Sequence, residues 1–97
     1  MDQRYGDLHL FIDGEWLGAA GRQTEAVINP ATGEAIGLLP HATPDDLDRA
    51  AEAAGRAFQS WRRMPAFDRA QILRKAAGLL RERAGHIGQR MTLEQAL

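Results

Sequence analysis

The chain has 97 residues, with 12 basic and 13 acidic side chains and a formal net charge of −1, so it forms one small domain at most. The absence of cysteine excludes disulfide bonds, thiolate metal ligands and a thiol nucleophile. No apolar run approaches the roughly 20 residues of a membrane span, and no basic N-terminal segment leads into one. We therefore expect a cytoplasmic protein without membrane contact.

Short strands and tight turns are predicted for the first 42 residues. Residues 1–7 are polar and are expected to fray. The predicted strands are residues 8–12, 15–17, 26–28 and 35–39. Asp13-Gly14 is a hairpin signal, because both residue types accept the positive φ of a tight turn. Asn29-Pro30 should end the third strand, because proline holds the residue before it in an extended conformation.

Apolar residues take up helical spacing from Thr43 onward. We expect Thr43 to cap a first helix, Pro44 to occupy its first position and Met64-Pro65 to end it. A second amphipathic helix follows, in which glycines predict fraying or a kink after Ala84. The two helices are expected to pack antiparallel, so residues 43–97 would form a helical hairpin and the whole chain an α+β segment.

Charge is distributed unevenly between the two halves of the chain. Residues 1–48 hold two basic and nine acidic side chains, a net −7, whereas residues 49–97 hold ten basic and four acidic side chains, a net +6. Such asymmetry is found in nucleic-acid-binding proteins, but also where two halves of one fold attract each other or where subunits meet. Acidic residues interrupt the arginine series, so nucleic-acid binding is the less favoured interpretation.

Several short motifs follow one another along the chain. They are Phe11-Ile12-Asp13-Gly14-Glu15-Trp16, Asn29-Pro30-Ala31-Thr32-Gly33-Glu34, the pattern A-x-x-A-x-x-A-F-x-x-W that ends at Trp61, Ile72-Leu73-Arg74, and Met91-Thr92-Leu93-Glu94-Gln95. In this order they resemble the start of the NAD(P)-dependent aldehyde dehydrogenase superfamily, over residues 8–95. Within the superfamily, these motifs resemble the succinate-semialdehyde dehydrogenase branch. The chain departs from the family after Glu94, where members usually continue x-G-K-P.

The resemblance implies the outer part of a Rossmann-like α/β cofactor-binding domain, with residues 1–97 as an incomplete N-terminal part of it. In the family, the catalytic cysteine, the general-base glutamate, the oxyanion asparagine and the dinucleotide-binding residues all come later in the sequence. We therefore expect no catalytic or cofactor-binding residue here, and no NAD or NADP bound by this chain alone. The expected partners are the remainder of the aldehyde dehydrogenase fold and further subunits of a homo-oligomer.

One site is implied by the resemblance. Many family members bind a monovalent cation through backbone carbonyls before the Asn-Pro turn and through the acidic residue of the T-L-[DE] motif. The matching positions here are Val27, Ile28 and Glu94. Oxygen ligands suit such a hard cation. The alternative is that Val27 and Ile28 are ordinary strand residues and Glu94 is a surface charge.

Other site signals and function classes are weaker. The histidines have no ligand spacing, the glycines do not form a phosphate-binding motif and the single serine lacks a glycine elbow, so neither a transition-metal site nor a serine hydrolase is expected. Two further functions stay open beside the aldehyde dehydrogenase segment. One is a free-standing module of strands and a helical hairpin that binds a partner, and the other is a small DNA-binding dimer.

Overall fold

The structure, a computed structural model, describes residues 5–95. Within this range, four short strands precede three helices, in agreement with the α+β prediction. The elements are β1 (Leu10–Ile12), β2 (Glu15–Leu17), β3 (Thr24–Ile28), β4 (Ala35–Pro40), α1 (Pro44–Trp61), α2 (Ala66–Glu82) and α3 (Ala84–Gln95).

The first hairpin joins β1 to β2 through the predicted turn. Asp13 and Gly14 have φ values of 52° and 78°, the left-handed conformation that a two-residue turn between twisted strands requires. The register pairs Phe11 with Trp16, whose ring centroids lie 4.5 Å apart. The hairpin prediction is confirmed, although β1 begins two residues later than predicted.

The second hairpin joins β3 to β4, and residues 5–8 lie along the outer edge of β4. Leu8 donates its backbone N–H to the carbonyl of Leu38 at 2.9 Å, and Leu38 donates to the carboxylate of Asp7 at 3.1 Å. The expectation that residues 1–7 fray is therefore wrong for residues 5–7, because β4 offers them an unpaired edge. Residues 1–4 lie outside the described part of the chain.

Helix α1 begins as predicted. Thr43 is extended and its hydroxyl accepts a hydrogen bond from the Asp46 amide at 3.1 Å, while the Asp46 carboxylate accepts one from the Thr43 amide at 2.9 Å. This reciprocal arrangement satisfies two backbone donors that a helix start leaves free, and Pro44 occupies the first helical position.

The predicted second helix is divided into two. Arg83 leaves the helical conformation with φ −99° and ψ 11°, so α2 ends at Glu82 and α3 starts at Ala84. The cause is the low helical propensity of the glycine-rich stretch that follows, which was expected to produce only a kink or fraying. The main contacts of α2 with another helix are with α3, and α1 packs mainly on β1. Antiparallel packing of α1 against α2 stays a prediction.

Very little of the described chain is buried. Among the apolar side chains of residues 5–95, only Tyr5, Ile12 and Pro40 are buried, whereas Trp16 is 71% exposed and Phe67 is 68% exposed. Among residues 5–95, no helix is both long enough and apolar enough to cross a membrane.

Candidate functional site

The start of α1 is held to the preceding loop by a two-pronged ion pair. Arg22 donates from Nε and Nη2 to the two carboxylate oxygens of Asp46, at 3.0 and 2.8 Å. These bonds are the first cause of the strongly lowered pKa of Asp46, followed by the bond from the Thr43 amide, while burial opposes both. The same pairing raises the pKa of Arg22. Both groups are therefore charged, and their role is structural.

A second cluster connects the N-terminal segment to α3. The Tyr5 hydroxyl donates a hydrogen bond to Oε1 of Glu94, and Arg90 donates from Nη1 to the Tyr5 carbonyl. The Arg90 guanidinium also lies 5.2 Å from the centre of the Tyr5 ring, which favours a cation–π contact. Burial is the largest cause that raises the pKa of Tyr5 to about 12, and Glu94 adds to it while Arg90 opposes it. Tyr5 is consequently a neutral donor at physiological pH.

Tight packing seats Tyr5 against β4. A Cβ atom placed on Gly37 would lie 2.0 Å from the Gly6 carbonyl oxygen and 3.0 Å from Cδ1 of Tyr5. Only glycine leaves space for the segment at this position, and Gly37 is the register partner of Val27 in β3. The sequence-based prediction missed this cluster, although the single tyrosine of the chain, placed in a polar segment, was a signal for it.

The two carbonyls predicted to bind a cation face different ways. The backbone N–H and C=O of Leu38 bond to Asp7 and Leu8 and so point away from β3. Hydrogen-bonded and non-hydrogen-bonded pairs alternate along an antiparallel ladder. The next pair, Val27 with Gly37, is therefore hydrogen-bonded. A bulge separates Val27 from Ile28, and the following Asn29 donates to the Glu34 carbonyl at 2.9 Å. By this alternation the Val27 carbonyl faces β4, whereas the Ile28 carbonyl faces the unpaired edge of β3.

Glu94 approaches this region through Tyr5. The Glu94 carboxylate binds the Tyr5 hydroxyl, Tyr5 packs at Gly37, and Gly37 pairs with Val27. Glu94 is thus linked to Val27 only indirectly, through Tyr5 and Gly37, and the described contact of the Glu94 carboxylate is with Tyr5. No group of three or more histidine, cysteine, aspartate or glutamate residues in the described range 5–95 is arranged to hold a metal ion.

Ion pairs join the acidic first half of the chain to the basic second half. Arg49 binds Glu15 at 2.9 Å and Arg56 binds Asp13 at 2.8 Å, which fastens α1 to the β1–β2 hairpin. These pairs account for part of the charge asymmetry without a nucleic acid. They are exposed and each stabilises the fold by only about 0–1 kcal/mol.

Short paired strands followed by helices, with little core of their own, make residues 5–95 an α+β segment. The sequence model of the aldehyde dehydrogenase family matches residues 16–97. The chain belongs to this family and corresponds to an N-terminal segment of it.

Relatives with known names agree with this assignment. The chain is 44% identical over 87 residues to malonate-semialdehyde dehydrogenase 1 of Geobacillus thermodenitrificans, which covers 90% of this chain and 18% of the relative. It is 42% identical over 87 residues to malonate-semialdehyde dehydrogenase of Bacillus pumilus, and the match again covers 90% of this chain and 18% of the relative. To malonate-semialdehyde dehydrogenase of Bacillus cytotoxicus it is 40% identical over 83 residues, which cover 86% of this chain and 17% of the relative. The chain thus spans less than a fifth of these relatives' length.

Proposed function

We propose that this chain is a scaffold segment of an NAD(P)-dependent aldehyde dehydrogenase and does not oxidise aldehydes by itself. The carrying observation is the family match over residues 16–97 in a sequence without cysteine, the residue type that the resemblance implies as nucleophile. Bound nicotinamide would accept the hydride of the aldehyde. Strand pairing within residues 5–95 is antiparallel throughout, and no glycine-rich strand-to-helix turn is present there, so these residues do not fit a dinucleotide.

The test is turnover by the purified chain 1–97. The chain is mixed with NAD or NADP and an aldehyde, and nucleotide reduction is followed by absorbance. We expect no reduction above the rate without protein, while the complete Geobacillus thermodenitrificans relative, assayed beside it, turns over. Reduction that depends on both aldehyde and chain would refute the proposal of inactivity.

The substrate of the complete enzyme is proposed to be malonate semialdehyde. The names of the relatives favour it over the succinate semialdehyde that the motifs suggested. A chimera tests the scaffold function: the matched 87 residues of the Geobacillus thermodenitrificans relative are replaced by this chain. We expect the chimera to oxidise malonate semialdehyde at a rate near that of its parent. A chimera that fails to fold or to turn over would contradict the scaffold function. The substrate itself is tested by comparing malonate and succinate semialdehyde as substrates of the complete enzyme to which this segment belongs, and a preference for succinate semialdehyde would contradict the proposal.

A monovalent cation bound by Val27, Ile28 and Glu94 remains part of the proposal. Its support is chemical, since all three offer oxygen donors and the Ile28 carbonyl lies outside the strand ladder. The thermal stability of the chimera is measured in sodium, potassium and choline chlorides at equal concentration. We expect sodium or potassium to raise the Tm, and Glu94→Gln to abolish the increase while Glu82→Gln does not. Equal Tm values in all three salts would exclude the site.

A cytoplasmic location and a homo-oligomeric complete enzyme also belong to the proposal, on the family resemblance alone. Cell fractionation and sedimentation of the complete enzyme to which this segment belongs would test them. Recovery of that enzyme in a membrane or secreted fraction, or as a monomer, would contradict them.

A further inference from the structure

A tyrosine hydroxyl binds the carboxylate that is proposed above as a cation ligand. Oε1 of Glu94 accepts a hydrogen bond from the Tyr5 hydroxyl. A carboxylate offers its lone pairs either to proton donors or to cations. A donor that is bound there occupies one of these lone pairs and attracts negative charge that a cation would otherwise share. The Tyr5 hydroxyl and a cation therefore make competing demands on Glu94.

Arg90 adds a positive charge beside the same carboxylate. It lies four residues before Glu94 in α3, a spacing that places both side chains on one side of the helix. Its Nη1 donates to the Tyr5 carbonyl, and its guanidinium lies 5.2 Å from the centre of the Tyr5 ring. A cation bound at Glu94 would be a second positive charge at this place, and like charges repel at close range. Docked Tyr5 thus brings both a competing donor and a repelling charge.

The segment that carries Tyr5 is attached to the sheet at several points. The Leu8 amide donates to the Leu38 carbonyl at 2.9 Å, and the Leu38 amide donates to the Asp7 carboxylate at 3.1 Å. The Tyr5 ring itself packs at Gly37. Because the hydroxyl is tethered, it competes with a dissolved cation at an effective concentration that the fold sets and the solution does not. To free Glu94, the hydroxyl must turn away or the segment must leave the edge of β4.

We propose that Tyr5 is a built-in competitor of the monovalent cation for the Glu94 carboxylate. This proposal rests on the cation site proposed above. Docking of residues 5–8 on β4 weakens cation binding, and release of Glu94 by Tyr5 strengthens it. Since the coupling of two binding events is reciprocal, bound cation must also weaken the attachment of residues 5–8. The fold thereby couples the position of the N-terminal segment to the cation.

The test measures the cation affinity of the chimera described above and of its Tyr5→Phe variant. Phenylalanine lacks the hydroxyl but keeps the ring that packs at Gly37. The Tm is followed at increasing sodium or potassium chloride, with choline chloride holding the ionic strength constant, and the concentration at which the Tm begins to rise reports the affinity. We expect this concentration to fall about tenfold or more in Tyr5→Phe, because a hydrogen bond to a charged group is typically worth at least that factor.

Two further variants accompany this comparison. Asp7→Ala removes one attachment of the segment to β4, so it should also strengthen cation binding, by a smaller factor. Ser60→Ala is the control, because it removes a hydroxyl that bonds the Ala57 carbonyl in α1, and it should leave cation binding unchanged. Hydrogen exchange of the Leu8 amide should be faster in potassium chloride than in choline chloride, because bound cation releases the segment.

The possible results separate the competition from the cation site itself. If the Tm of the chimera and of Tyr5→Phe rises in neither salt, both proposals are refuted. A rise at the same cation concentration in both proteins overturns the competition only. Weaker cation binding in Tyr5→Phe also overturns it, because the hydroxyl then orients Glu94 or binds the cation. If Tyr5→Phe loses its helical circular dichroism, Asp7→Ala decides, and an affinity equal to that of the chimera refutes the competition.

Discussion

Replacement of Gly37 by alanine should detach the N-terminal segment from β4 and α3. The new Cβ would lie 2.0 Å from the Gly6 carbonyl oxygen, whereas ordinary contact begins at 3.4 Å, so the backbones must separate by about 1.4 Å. The obstacle is backbone rather than a flexible side-chain end. We therefore expect the Leu8–Leu38 hydrogen bond and the burial of Tyr5 to be lost together.

The pKa of Tyr5 reports this event directly, because Tyr5 is the single tyrosine of the chain. In the native structure burial and Glu94 raise its pKa to about 12, and release should return it to the ordinary value of 10.0. At pH 11 the phenol is then about one-tenth ionised in the native chain and about nine-tenths ionised in the variant. Since the raised pKa belongs to the folded state, docking of the segment is fully stable below pH 10 and weakens from pH 10 to 12.

The assay is a spectrophotometric titration of phenolate absorbance, with circular dichroism at each pH to verify that the helices persist. Gly55→Ala is the matched control, because a Cβ at this helical position meets nothing within 4 Å. It should leave the tyrosine titration unchanged. If Gly37→Ala retained a tyrosine pKa near 12, the reasoning from the close approach of Gly6 would be refuted.

Three further predictions concern the helices. Thr43→Ala should lower the free energy of unfolding by about 1 kcal/mol in a urea melt, because the side-chain cap of α1 is lost. Thr43→Ser keeps the hydroxyl and should keep the native stability. Equal stability of the two variants would show that the cap is dispensable. Gly78→Ala should raise stability by up to about 1 kcal/mol, because its Cβ meets nothing within 4 Å, and a lower helical signal would contradict this. Asp46→Asn should have the same effect as protonation of Asp46 at low pH. The lowered pKa of Asp46 stabilises the fold fully above pH 3.8, and this contribution to the free energy of unfolding is lost as the pH falls below that value. Helix content, followed by circular dichroism, should therefore depend less on pH in the variant than in the native chain.

Local features were accurately predicted because they depend on neighbouring residues. The Asp13-Gly14 turn and the Thr43 cap were located to the residue, since each is determined by short-range backbone preferences. The break at Arg83 was underestimated as a kink, because glycine propensity gives a cost but not the conformation in which it is relieved.

Contacts between distant residues were not predictable in the same way. Tyr5 meets Glu94 across 89 positions and Arg22 meets Asp46 across 24. No spacing rule connects such pairs, because their meeting depends on how strands and helices pack. The predicted cation ligands show both sides of this: Val27, Ile28 and Glu94 were identified by motif, but only the tertiary structure shows that Glu94 is bound to Tyr5 and that the two carbonyls face opposite directions.

By itself, the sequence determined the family, the order of strands and helices, and the absence of a thiol nucleophile. These features follow from residue identity and from local periodicity, which do not depend on the tertiary structure. Only the tertiary structure decided which surfaces are left bare. Burial is a property of packed elements, and the exposure of Trp16, Phe58 and Phe67 becomes visible only once the strands and helices are placed in space.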